Sequence, residues 1–66
     1  MAYKIGDRVR FDPAIPRPIG WIEMTYWIVQ LTPLWAPSSG MIMLARIQSD
    51  DGTVIDAVDT SILLPG

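Results

Sequence analysis

The stretch that decides the fold is Met41-Ile-Met-Leu-Ala-Arg-Ile-Gln-Ser-Asp-Asp-Gly-Thr-Val-Ile-Asp-Ala-Val58. Asp50-Asp51-Gly52 is a turn signal, and the runs beside it, Met41 to Ser49 and Thr53 to Val58, are apolar and partly β-branched, so the whole reads as a β-hairpin. Charge and apolar matching set the register. A two-residue loop would put Ile47 against Asp56, and a four-residue loop would put Arg46 against Ile55. A three-residue loop closed by a left-handed Gly52 instead pairs Ser49 with Thr53, Gln48 with Val54, Ile47 with Ile55, Arg46 with Asp56 and Ala45 with Ala57. Met43, Ala45, Ile47, Ile55 and Ala57 then share one face, and Arg46 and Asp56 form a cross-strand ion pair on the other. The same register sets Leu44 opposite Val58.

Working outward, Arg8-Val-Arg-Phe11 alternates as a strand, with Val9 and Phe11 on one face and a Gly6-Asp7 turn before it. Asp12 to Gly20 holds three prolines in nine residues and is expected to be an ordered, extended loop. Trp21 to Leu31 is predicted as the central strand, apolar on both faces. Thr32 to Gly40 is predicted as a second loop with Trp35 at or near its tip. After the hairpin, Asp59-Thr60-Ser61 suits one helical turn, and Ile62 to Leu64 adds a last short strand. The expectation is an all-β fold of five short strands with a single helical turn before the last, residues 1–66 forming one domain.

A chain of 66 residues buries only about 60% of the surface its unfolded form exposes. It has no cysteine to staple it and no histidine, which excludes the usual structural zinc sites. Half of the residues are hydrophobic and 18% are charged, and small cores without staples often rely on oligomerisation. The formal charge of -2 hides a gradient: the charged residues from Lys4 to Arg17 sum to +2, and those from Arg46 to Asp59 to -3. The apolar run from Trp27 to Ala36 is too short and too interrupted to span a bilayer, and lack of cysteine fits a reducing, cytoplasmic setting.

Five short strands, a long loop after the first, a tight hairpin between the third and fourth and a single turn before the fifth resemble the SH3-like small β-barrel over nearly the whole chain. Ile5-Gly6-Asp7-Arg8-Val9-Arg10 at the entrance and Val58-Asp59-Thr60-Ser61-Ile62-Leu63 at the exit carry the resemblance. It implies a module of the kind found in KOW and Tudor domains and in small bacterial and phage proteins. Gly6 to Arg10 and Leu31-Thr32-Pro33 also look like parts of the plasmid-borne dihydrofolate reductases, which are pore-forming oligomers on this fold. That family's Val-Gln-Ile-Tyr motif is not matched: Gly52-Thr53 is followed here by Val54-Ile55-Asp56-Ala57, so the activity is not carried over.

Other catalytic constellations fail on inventory. A serine nucleophile has no histidine base, the aspartates of the hairpin lack calcium-type spacing, and Ser38-Ser39-Gly40 lacks the lysine and helix of a phosphate cradle. No enzymatic activity, metal or cofactor is expected. A non-enzymatic protein-interaction or assembly module that self-associates or binds another protein is expected instead. In the hairpin register, Ile42, Leu44, Val54 and Val58 surround the Arg46–Asp56 pair on the outward face, and such a patch marks a contact surface. Trp35, in an apolar loop, is the further contact candidate. A KOW-type alternative would use Lys4, Arg8, Arg10 and Arg17 on nucleic-acid phosphates, a small set for an acidic chain.

Overall fold

The computed structural model describes residues 3–38 and 40–66. The strands are β1 (Arg8–Phe11), β2 (Tyr26–Ala36), β3 (Gly40–Ser49), β4 (Val54–Asp59) and β5 (Leu63–Pro65), with a 3-10 turn at Thr60–Ile62. They form one antiparallel sheet in the order β4-β3-β2-β1-β5. The turn is capped by the Asp59 carboxylate, which accepts the Ser61 N–H at 2.9 Å, as expected of that Asp-Thr-Ser cluster.

The β3–β4 loop is the predicted one. Gly52 has φ +88°, its N–H donates to the Ser49 carbonyl at 3.1 Å, and Ser49 N–H donates to the Thr53 carbonyl. Gln48 faces Val54 and Ile47 faces Ile55, and the Arg46 guanidinium meets Asp56 at 3.1 Å. Beyond that point the expected register fails. Ala57 takes a left-handed φ of 56° and forms a β-bulge, so Ala45 faces Val58 rather than Ala57, and Leu44 faces Asp59 rather than Val58. Ala57 is consequently exposed, and Val58 is buried in the core. Burying a valine gains about 1.5–3 kcal/mol, whereas left-handed backbone at an alanine costs about 1–2 kcal/mol. The core wins over the regular ladder.

A second bulge, at Val29 of β2, lies across β3 from the first: Ile28 faces Ile47, but Gln30 faces Arg46. Both neighbours of β3 are therefore interrupted at Arg46, and paired bulges sharpen the bend of the sheet there. That bend lets all five strands reach one core: Val9 and Phe11 from β1, Tyr26 and Ile28 from β2, Ala45 and Ile47 from β3, Ile55 and Val58 from β4, and Leu63 from β5.

The central strand starts and ends later than predicted. Trp21 to Thr25 belongs to the proline-rich connection, because Trp21 stacks on Phe11 (ring centroids 5.7 Å, planes 19° apart) as a lid on the core. Arg17 Nε donates to the Trp21 carbonyl at 2.8 Å while its guanidinium lies 5.2 Å from the centre of the Phe11 ring, and the Tyr26 hydroxyl donates to the Ile22 carbonyl. Those contacts hold the loop down and leave its backbone no strand to pair with. At the other end, Thr32 to Ala36 is strand, not loop: β2 and β3 pair from Leu31–Ala45 out to Ala36–Gly40. Pro33 fits because its nitrogen, which has no hydrogen to give, occupies a rung facing away from β3.

Candidate interaction surface

Cross-strand partners lie on the same face of a sheet, so the register beyond the bulges defines two surfaces of the β2–β3 arm. The face continuous with the core carries Leu31 and Ala45, then Pro33 and Met43, then Trp35 and Met41; the opposite face carries Thr32 and Leu44, then Leu34 and Ile42. The core ends at the first of these rungs. Ala45 is buried and Leu31 half-buried, but Met43 is 38%, Met41 61% and Trp35 67% exposed. Leu34 is 47% exposed on the reverse side. The hairpin thus outruns the core, in keeping with extents of 35 × 24 × 19 Å.

The arm is apolar because of what it lacks as much as what it holds: from Leu31 to Leu44 no residue is charged. On one face, Trp35, Met41 and Met43 together expose between one and two whole large side chains, a few hundred Å² of apolar surface and within the range of the largest patch on a small monomer, and Leu34 adds to the other face.

The predicted interface residues divide four ways. Trp35 is exposed on the arm, though on a strand rather than at a loop tip. Ile42 and Leu44 are half-buried on its reverse face, and Val54, 52% exposed, lies apart opposite Gln48 near the β3–β4 turn. Val58 is not at the surface, because the Ala57 bulge turns it inward to complete burial. The expected patch of four aliphatics around one ion pair therefore does not form. Pro33, Leu34, Met41 and Met43 were missed, although the uncharged run around them is the signal that marks the arm.

The basic residues do not gather into a single patch. Arg8 lies 4.9 Å above the Trp27 ring, while Arg17 is occupied by the Phe11 ring, the Trp21 carbonyl and Glu23, 4.0 Å away. Lys4 and Arg10 are exposed, Arg10 on the β1 rung opposite Leu64. Of the other aromatics, Phe11 and Tyr26 are core, and Tyr3 is half-buried with its hydroxyl on the Leu63 carbonyl at 3.1 Å. A concave area of about 570 Å³ lies open over the proline-rich loop from Pro13 to Ile22, where Ile19 is fully exposed.

The perturbed ionisable groups serve the turn and the core. The Ser49 hydroxyl, followed by the Thr53 N–H, holds the Asp51 carboxyl below its ordinary pKa. The Arg46 guanidinium, followed by the Ala57 N–H, does the same for Asp56. Burial, helped by the Asp51 charge and opposed by Arg17, pushes the Tyr26 phenol up. Among the described residues no three acidic side chains come together as a metal site, and no helix is long and apolar enough to cross a membrane.

No family model matches the chain, and neither a curated protein nor a solved structure matches it.

Proposed function

We propose that the chain is an SH3-like small β-barrel acting as a non-enzymatic protein-interaction and assembly module, with the β2–β3 arm as its contact surface and a second copy of itself as the first partner. The fold part is supported by the strand order, the tight β3–β4 hairpin, the 3-10 turn before β5 and the sharing of one core by both end strands of the sheet. One observation carries the functional part: an uncharged two-stranded arm holds its largest apolar side chains outside the core. A standard interface covers roughly 800 Å² per partner, about a fifth of the 4382 Å² that the chain exposes. Self-burial also relieves the thin margin of a small domain without staples.

Sedimentation over a wide concentration range, on wild type and Trp35→Ser, tests this. Wild type is expected to associate and Trp35→Ser to sediment as a monomer, with folding stability changed by no more than about 0.5 kcal/mol because Trp35 lies outside the core. A wild-type chain that remains monomeric at every concentration, or a Trp35→Ser variant that associates as tightly, overturns the proposal.

A further inference from the structure

The arm has two backbone edges beyond the bulges, and they are not equivalent. β1 pairs with β2 at Tyr26 and Trp27, so among the described residues the outer edge of β2 from Leu31 to Ala36 has no strand beside it; β4 leaves β3 at the Leu44–Asp59 rung, so among the described residues the outer edge of β3 from Gly40 to Met43 has none either. Pro33 sets the phase of the ladder between them. Lacking an N–H, it must sit on a rung whose backbone groups point away from the partner strand, and because rungs alternate, Trp35 on β2 and Met41 and Met43 on β3 point outward too. The β2 edge therefore presents a proline ring in the middle of its row, a device that blocks strand addition, whereas the β3 edge presents the intact N–H and C=O groups of Met41 and Met43.

We propose that this β3 edge is a strand-pairing site for the β3 edge of a second copy, giving a twofold-symmetric dimer in which the two arms join into one continuous sheet. The inference rests on the self-association reading above and adds the mode. Three features select a second copy as occupant. The arm has no charge with which to choose an oppositely charged partner, and its apolar faces are compatible with themselves. An antiparallel pairing of like edges is isologous and closes at two. Pairing of a β2 edge with a β3 edge would instead run on head to tail, and Pro33 stands in its way. Edge joining also brings Met41 and Met43 of the two copies side by side and extends the surface that Trp35 covers.

The test uses the full chain. Met43→Pro removes one outward N–H without touching the β2–β3 ladder, and Pro33→Val restores an N–H on the blocked edge. Met43→Pro is expected to keep the circular dichroism spectrum of wild type and to weaken the dimer at least tenfold in sedimentation equilibrium; Pro33→Val is expected to form species larger than a dimer. A folded Met43→Pro variant that dimerises as tightly as wild type overturns the edge pairing while leaving association through the arm intact, and a wild-type chain monomeric throughout overturns both. A Pro33→Val variant that stops at the dimer overturns the role given to Pro33. If Met43→Pro does not fold, amide exchange on wild type decides: protection of Met41 and Met43 that rises with dimer concentration, with the Trp35 amide remaining fast, supports the mode, and unprotected Met41 and Met43 in a formed dimer refute it.

Discussion

Replacing Ala57 by glycine is expected to stabilise the protein, against the usual effect of glycine in a strand. Ala57 is exposed and has φ 56°, so its methyl group contributes little packing while its backbone occupies a region that L-residues avoid. Relief of the left-handed conformation is worth about 1–2 kcal/mol. The extra chain entropy that glycine loses on folding takes back about 0.5–1 kcal/mol. The net gain is about 0.5–1 kcal/mol, and each kcal/mol corresponds to about 4–8 °C in Tm for a domain of this size. Ala57→Val should move the other way by more than 1 kcal/mol, roughly, since a β-branched residue at positive φ is a steric outlier. In the unbroken register of the regular hairpin both signs reverse: valine favours an extended strand and glycine weakens it. Thermal and urea unfolding at fixed protein concentration, monitored by tryptophan fluorescence, reads the two signs directly. A destabilised Ala57→Gly together with a stabilised Ala57→Val would refute the bulge, and with it the burial of Val58.

Two further outcomes are expected. Asp51 and Asp56 have folded-state pKa values below their unfolded ones, so their contribution is complete above the ordinary aspartate value of 3.8 and is lost as the pH falls through the lower folded values; Asp51→Asn and Asp56→Asn combined should flatten the acid limb of a Tm-against-pH curve, and an unchanged limb would count against the Ser49 and Arg46 contacts. Tyr26 has a raised pKa, so its contribution is complete below the unfolded phenol value and is lost as the pH rises through the folded one; Tyr26→Phe should cost about 0.5–1.5 kcal/mol at neutral pH for the lost bond to the Ile22 carbonyl, and chemical denaturation at pH 7 and pH 11 should show a smaller alkaline loss than in wild type.

Several elements were legible in the chain because their causes are local. Alternation in Arg8 to Phe11, the Asp-Asp-Gly turn with its left-handed glycine, and the Asp-Thr-Ser cluster depend on neighbours a few residues away; the first two formed where those neighbours put them, and the helical turn and last strand formed one residue later than expected, at Thr60–Ile62 and Leu63–Pro65, because Asp59 serves as the cap. The Ile47–Ile55 and Arg46–Asp56 contacts followed from matching charge with charge and apolar with apolar across the turn, which selects the three-residue loop. The uncharged run from Leu31 to Leu44 is visible in the chain too, but its middle, Thr32 to Gly40, was read as a loop, whereas Thr32 to Ala36 and Gly40 are strand.

What the tertiary structure decided were the places where two local preferences were nearly balanced and a distant group tipped them. Nothing in Ala57-Val58 says which residue faces inward; the space above Ile47 and Ala45 does, and it recruits the larger side chain through a bulge. Trp21 has strand character by composition, yet the Phe11 ring, ten residues earlier, offers it a stacking surface and takes it out of the sheet. Pro33 excludes strand only if both edges are to be paired, and whether an edge is free is a property of the assembled sheet, not of the proline. The arm and the outward turn of Met41, Met43 and Trp35 therefore exist because β1 and β4 both end early while β2 and β3 continue past them.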